Sequence, residues 1–118
     1  MTEAETAWLA GLLEGEGSFF MKRQTRRWKP HTPAHTYSTP KIKVGSTDLD
    51  VIQRVAELWG TRLEFHRRRQ DHWKDQWVVC KAGAPAVEIM RQVLPWMGER
   101  RSAKIQEVIA EWEGSRAA

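Results

Sequence analysis

The sequence predicts an α+β fold in which the elements follow the order α-β-β-α-β-β-α-α. Apolar residues recur at helical spacing in four stretches, and four other stretches alternate apolar with polar side chains, as half-buried strands do. A chain of 118 residues has room for one domain, residues 1–118, with one core. We therefore expect four helices and one curved, four-stranded antiparallel sheet.

The first three elements are a helix and a long hairpin. Leucines at helical spacing predict the helix over residues 4–15. Residues 18–28 then alternate as a strand, and residues 37–45 form its partner. Pro30 and Pro33 bar regular structure between them, so the intervening residues are predicted to be a loop.

A helix and two further strands follow. Thr47 is expected to cap the second helix, and Gly60 is expected to end it. The third strand is predicted over residues 61–69, with Phe65 facing inward, and the fourth over residues 73–81. The chain thus repeats a β-β-α pattern loosely, without an internal sequence repeat.

Two helices complete the chain. The third helix opens at residues 83–85 and is stopped by Pro95. The last helix is predicted over residues 101–113, and the polar residues 114–118 are expected to fray.

Composition indicates an anionic partner. The chain carries 19 Lys and Arg against 15 Asp and Glu, for a net charge of +4. Nucleic acid is the partner that such a balance favours, although a soluble basic domain without one fits composition equally well. Seven tryptophans are many for this length, and most are expected in the core.

Several classes of site and location are excluded or disfavoured. The single cysteine, Cys80, cannot form an intrachain disulfide, which suits a reducing compartment. No run is long and apolar enough to span a membrane, and the acidic N-terminus is unlike a signal peptide, so we expect a cytoplasmic protein without a membrane partner. The histidines and Cys80 do not have zinc-site spacing, and no phosphate-binding glycine loop or Ser-His-Asp arrangement is evident.

The most informative stretch lies within residues 8–19. Gly11 and Gly15 are four apart and share one helix face, at a cost of roughly 1 kcal/mol each relative to Ala. Close approach of another helix backbone best explains both glycines. If the helix unwinds around Gly15 and Gly17, Glu16 projects from its C-terminal end, where the helix dipole disfavours an anion unless a cation is bound.

Residues 9–17 read Leu-Ala-Gly-Leu-Leu-Glu-Gly-Glu-Gly. This run resembles the LAGLIDADG signature of the homing endonucleases, with Glu16 where Asp is more usual. The resemblance implies that family's fold and a homodimer, because a chain with one signature needs a second copy to pair its helix. The implied interface residues are Trp8, Gly11, Leu12 and Gly15.

The resemblance also implies a metal-dependent DNA-cleaving centre. Glu16 is implied as the catalytic metal ligand, and the Gly15 carbonyl is the second proposed ligand for Mg²⁺ or Mn²⁺. Glu14 either joins them or only stabilises the helix end. Residues 94–104 are similar to a late family segment that places a basic residue beside this centre. The register implies Arg100 there.

Three further assignments depend on the same alignment. Arg101 and Lys104 are the alternatives to Arg100 if the register differs. Ser46 falls at a position that in relatives helps to order the attacking water.

The outward strand faces are predicted to bind DNA. Their basic side chains suit phosphates, and their amides and hydroxyls suit base edges, although a solvated face is the plain alternative. The predicted contact residues are Lys22, Gln24, Arg26, Trp28, Tyr37, Thr39, Lys41, Lys43, Arg62, His66, Arg68, Lys74 and Gln76.

The sequence therefore predicts a homodimeric homing endonuclease that cuts both strands of a long, roughly palindromic DNA site. A catalytically silent relative that binds DNA or assists RNA splicing is the second reading. A basic adaptor domain without nucleic-acid specificity is the third.

Overall fold

The fold follows the predicted order of elements. The computed structural model describes residues 1–67, 70 and 74–117. In this part of the chain the helices are α1 (Glu3–Glu16), α2 (Leu49–Trp59), α3 (Ala84–Val93) and α4 (Glu99–Ala117), with a 3-10 turn at Leu94–Trp96. The strands are β1 (Gly17–Arg26), β2 (His35–Ser46), β3 (Leu63–His66) and β4 (Gln76–Ala82).

The four strands form one antiparallel sheet in the order β1-β2-β4-β3. The β1–β2 hairpin runs from Gly17 opposite Val44 to Arg26 opposite His35. β4 joins β2 on its other side, and β3 pairs only with β4. Because paired residues point to the same face, this register decides which side chains face the helices and which face away.

One apolar core lies between the helices and the inward face of the sheet. α2 packs against β4, α3 against β2, and α4 against β1. The largest fully buried side chains of this core are Leu9, Leu13, Ile42, Val44, Ile52, Val55, Val79, Val87, Met90, Val93, Ile105 and Val108. Burying one such Val, Leu, Ile or Met side chain stabilises the fold by about 1.5–3 kcal/mol.

The chain passes from α1 into β1 without a loop. The predicted unwinding does not occur at Gly15, which is helical; the helix ends at Glu16 and the strand begins at Gly17. The Gly17 N–H donates to the Leu13 carbonyl. A Cβ on Gly17 would lie 2.7 Å from Leu13 Cδ2 and 2.9 Å from its carbonyl oxygen, so only glycine fits.

Residues 114–117 are helical rather than frayed, residue 118 lies outside the described residues, and α4 begins two residues earlier than predicted. Contacts along the helix explain the longer end. The guanidinium of Arg116 lies 4.7 Å from the ring centroid of Trp112, and Ser115 Oγ donates to the Trp112 carbonyl at 2.9 Å.

The predicted cap of α2 is wrong. Asp48 occupies the N-cap position, and its N–H donates to Ser46 Oγ at 3.0 Å, so Ser46 rather than Thr47 orders this turn. Gly60 ends α2 as predicted, in the left-handed conformation at φ 62°. That conformation favours glycine because it has no Cβ.

β3 is shorter than predicted, and Phe65 is not buried. Its ring shares the inward face with Trp77, 5.4 Å between centroids, but remains 50% exposed. The tryptophans also contradict the core prediction. Among those that the structure describes, only Trp59 is buried, at 4% exposure, whereas Trp28 is 74% exposed. Trp28 lies in the hairpin loop because β1 ends at Arg26.

Among the described residues, no helix combines the length and apolar character that crossing a membrane requires.

Candidate functional site

Glu16 is the last residue of α1, and its side chain is exposed. It forms no hydrogen bond or ion pair with another described residue. Carbonyl groups in the last turn of a helix lack intrahelical partners and carry the negative pole of its dipole. A carboxylate in this position gains most from a bound cation, so the local electrostatics fit the role predicted for Glu16.

Two hydrogen bonds join this end of α1 to the start of α4. The Gly98 N–H donates to Glu14 Oε2 at 3.4 Å, and Arg101 donates to the Gly17 carbonyl. A Cβ on Gly98 would lie 2.6 Å from Glu14 Oε1, so the close approach uses the absence of a side chain there. These bonds lie on either side of Glu16 in the sequence and hold it beside the first turn of α4.

The structure brings Arg101, rather than Arg100 or Lys104, to the end of α1. Arg100 is exposed in the first turn of α4. Lys104 Nζ lies 3.5 Å from Glu107 Oε1 on the same helix. Sequence reasoning named Arg101 only as an alternative, because the register of residues 94–104 against the family segment placed Arg100 at the basic position.

Ser46 is the last residue of β2 and lies opposite Trp77 of β4. Its hydroxyl accepts the Asp48 N–H. Since Gly17 lies opposite Val44, Ser46 extends beyond the paired part of the hairpin, on the side where α1 ends.

The outward face of the sheet gathers most of the predicted DNA contacts. A shallow cavity of about 440 Å³ opens on this face. Its lining residues are Phe20, Lys22, Lys41, Lys43, Glu64, His66, Val78 and Cys80. The strand register adds Gln24, Arg26, Tyr37, Thr39 and Gln76 to the same face.

Other predicted contacts lie outside the strands. Trp28, in the hairpin loop, donates from Nε1 to the Tyr37 hydroxyl at 3.3 Å. Arg62 precedes β3 and Lys74 precedes β4, and both are exposed. Arg68 lies outside the described residues.

Sequence reasoning missed Glu64 on the outward face. The signal was available, because Glu64 is two residues before His66 and alternation places both on one face. Val78 and Cys80, which also line the cavity, were missed as well, although they alternate with the inward-facing Trp77 and Val79 on β4.

No protein-family model matches the chain, and no curated protein matches it significantly in sequence. Solved structures do match. The homing endonuclease I-CvuI, in complex with its target, superposes with a TM-score of 0.68 at 16% identity over 91% of this chain and 64% of its own.

The chain has the LAGLIDADG homing endonuclease fold. The group I intron-encoded I-CeuI, complexed with DNA, has a TM-score of 0.65 at 16% identity over 92% of this chain and 54% of its own. The archaeal intron-encoded I-Vdi141I, also complexed with DNA, has a TM-score of 0.66 at 14% identity over 98% of this chain and 74% of its own. The chain thus spans less than two thirds of I-CvuI and of I-CeuI.

Within this LAGLIDADG fold, the glycine face of α1 is left uncovered by the described residues. A Cβ on Gly11 or Gly15 would meet no described atom within 4 Å. Trp8 and Leu12 border this face and are half-buried, and the Arg54 guanidinium lies 4.3 Å from the Trp8 ring centroid. The predicted interface residues therefore lie on one side of one helix.

The donor atoms at the end of α1 suit a hard divalent cation. The Glu16 carboxylate and the Gly15 carbonyl both offer oxygen, which Mg²⁺ and Mn²⁺ prefer. In the part of the chain that the structure describes, no three His, Cys, Asp or Glu side chains cluster around a metal position. A divalent cation bound there would need further ligands from water, a phosphate or a second chain.

Proposed function

We propose that the chain is a metal-dependent, site-specific double-strand DNA endonuclease of the homing type, acting as a homodimer. The observation that carries the proposal is Glu16, an exposed carboxylate without a partner among the described residues, at the end of a helix whose glycine face is uncovered. Both features lie in a fold shared with homing endonucleases solved on DNA.

The homodimer completes the centre that one chain lacks. A two-fold contact uses the same patch on both partners, so the Gly11 and Gly15 faces of two α1 helices pack together. This contact places the two Glu16 carboxylates side by side, one for each DNA strand. Each chain then supplies one carboxylate and one backbone carbonyl to the shared centre.

Hydrolysis of a phosphodiester needs a water nucleophile and neutralisation of charge at the phosphate. Glu16 and the Gly15 carbonyl would hold the divalent ion, which would supply an activated water and offset phosphate charge. Mg²⁺ or Mn²⁺ is the proposed cofactor, and I-CvuI has been crystallised in the presence of Mg and of Ca.

Arginines beside the centre stabilise the developing negative charge. Arg101 is held there by its bond to the Gly17 carbonyl, and Arg100 is exposed in the same turn. Ser46, on the same side of the sheet, is proposed to help order the attacking water.

The outward sheet face supplies affinity. Lys22, Lys41 and Lys43 line one cavity on that face, and each suits a phosphate oxygen. Side chains with amides or hydroxyls, such as Gln24 and Gln76, suit base edges in the major groove. The face as a whole lies along one half of the target.

The test is cleavage of a randomised duplex library with Mg²⁺, comparing the natural chain with Glu16→Gln. We expect the natural chain to cut a defined site and the variant to lose at least about 100-fold in rate while binding the site unchanged. Glu88→Gln, on the exposed face of α3, makes the same charge change away from the centre and is expected to cut normally.

If Glu16→Gln cleaves DNA at the natural rate, the assignment of Glu16 to the catalytic centre is wrong. Site-specific binding without cleavage by the natural chain would instead indicate a silent relative that binds DNA or assists RNA splicing.

A further inference from the structure

Glu64 is the sole acidic residue within the four strands as the structure describes them. The outward faces of the same strands carry four Lys and Arg side chains, namely Lys22, Arg26, Lys41 and Lys43. An acid in a face of this charge would weaken binding to any polyanion. Its presence there needs a reason beyond general affinity.

Glu64 lies opposite Val78 and lines the same cavity as Lys41 and Lys43. Glu64 Oε2 is 3.2 Å from His66 Nε2, and both side chains are well exposed, at 67% for Glu64 and 46% for His66. The imidazole holds one carboxylate oxygen, so the other oxygen remains available to accept a hydrogen bond.

The outward face divides into two chemically different halves. All its Lys and Arg side chains within the described strands lie on β1 and β2. β3 and β4 present Glu64, His66, Gln76, Val78 and Cys80, and none of these is Lys or Arg. The first half suits phosphates, and the second half suits base edges, which offer both donors and apolar contacts.

A carboxylate can only accept hydrogen bonds, which restricts what it can read. Phosphate oxygens repel it. In the major groove the exposed donors are the cytosine N4 and adenine N6 amino groups, and adenine places the N7 acceptor beside its donor. Cytosine has no acceptor on that edge, so a carboxylate is best satisfied by cytosine.

We propose that Glu64 is a specificity-determining residue that accepts a hydrogen bond from the amino group of a cytosine in each half of the target site. This inference rests on the proposed DNA binding but not on cleavage. Val78, directly opposite Glu64, is only 3% exposed, so the contact to the base comes from the Glu64 carboxylate.

The experiment is repeated selection of bound duplexes from a randomised library by the full chain, followed by sequencing. The natural chain, Glu64→Ala, Glu64→Gln and the control Glu57→Gln are compared. Glu57 is exposed on α2, so its substitution makes the same charge change off the sheet. All three variants are expected to fold, because both glutamates are exposed.

We expect the natural chain to prefer cytosine at one position of each half-site. Glu64→Ala should reduce that preference about tenfold, to near equality among the four bases, while the preferences elsewhere in the site persist. Glu64→Gln should move the preference toward adenine, since an amide pairs with both N6 and N7. Glu57→Gln should select the natural site.

An unchanged base preference at every position in Glu64→Ala overturns this inference and leaves the proposed function standing. So does a gain in affinity that is equal for all sequences, since that result would mean that Glu64 acts only through its charge. A natural chain that enriches no sequence overturns the proposed site-specific binding together with this inference.

Discussion

Gly17 shows how one residue decides the geometry of the site. Its φ of −81° is open to any residue, so conformational freedom is not what requires glycine. The constraint is steric, because an added Cβ would lie within 3.0 Å of the Leu13 Cα and closer still to two other Leu13 atoms. Glu16 can end the helix where it does only because the next residue has no side chain.

We expect Gly17→Ala to lower the free energy of unfolding by about 1–3 kcal/mol, the usual cost of overfilling a packed region. Urea denaturation of the two proteins measures it. Gly114→Ala is the matched control, because a Cβ there meets no described atom within 4 Å and the residue lies in α4. This control should gain up to about 1 kcal/mol from the better helix propensity of alanine. Equal effects at the two positions would contradict the steric argument.

At the scale of the element, α1 is stabilised at both ends by different means. Thr2 and Glu5 form a capping box, in which the Glu5 N–H donates to Thr2 Oγ1 at 3.1 Å and the Thr2 N–H donates to Glu5 Oε1 at 2.7 Å. The other end has no side-chain cap and is instead joined to α4 through Glu14 and Arg101. The helix that carries Glu16 is thus fixed locally at its start and by tertiary contacts at its end.

The capping box makes the stability of α1 depend on pH. Two hydrogen bonds lower the pKa of Glu5 below its ordinary value of 4.5. The bond from the Thr2 backbone has the larger effect, and the bond with the Thr2 hydroxyl has the smaller one. A lowered folded-state pKa contributes stability that is present above the unfolded value and is lost as pH falls through the folded value. The ionised form is therefore the one that stabilises the helix.

We expect Glu5→Gln to be less stable than the natural chain near neutral pH and to approach it as pH falls below 4.5, toward and through the lowered pKa of Glu5. The midpoints of urea denaturation, measured for both proteins across this range, test the expectation. Glu3→Gln serves as the control, since Glu3 lies in the same turn but outside the capping box. A difference between natural chain and Glu5→Gln that stays constant with pH would contradict it.

At the scale of the whole molecule, two surfaces differ in composition and have different roles in the proposed function. The outward sheet face is polar and basic along β1 and β2, whereas the glycine face of α1 is a narrow strip without side chains. In the proposed assembly the first surface binds DNA and the second binds the other subunit. A single substitution on the glycine face is therefore expected to change the stability of the chain and the stability of the dimer differently.

Gly11→Ala is expected to act in opposite directions on these two quantities. In the single chain a Cβ there meets no described atom within 4 Å, so the unfolding free energy should rise by up to about 1 kcal/mol. In the proposed dimer the same methyl group lies between two helix backbones, and the dissociation constant should rise roughly tenfold or more. Sedimentation at several concentrations measures the second effect, and denaturation of the dilute chain measures the first.

The control Gly114→Ala, which lies near the C-terminal end of α4, should leave the dissociation constant of the dimer unchanged. An unaltered or tighter dimer in Gly11→Ala would show that the glycine face is not the subunit contact.

Local periodicity explains why the order of elements was predicted correctly and why some details were not. Alternation placed Phe65 on the inward face, but Phe65 is half exposed, because alternation indicates a face and not whether a helix covers it. The start of α4 was placed two residues late. Arg100 was assigned to the centre from the similarity of residues 94–104 to the family segment, and a sequence register does not say which arginine contacts the end of α1.

The sequence by itself determined the order of the helices and strands and the acid at the end of α1, because these depend on residues only a few positions apart. Only the tertiary structure decided that Arg101 reaches the Gly17 carbonyl and that Gly98 meets Glu14, pairs that are 84 residues apart. It also decided that Glu64 shares a cavity with Lys41 and Lys43. Contacts of this range depend on how the elements pack, and no local pattern of side chains encodes that packing.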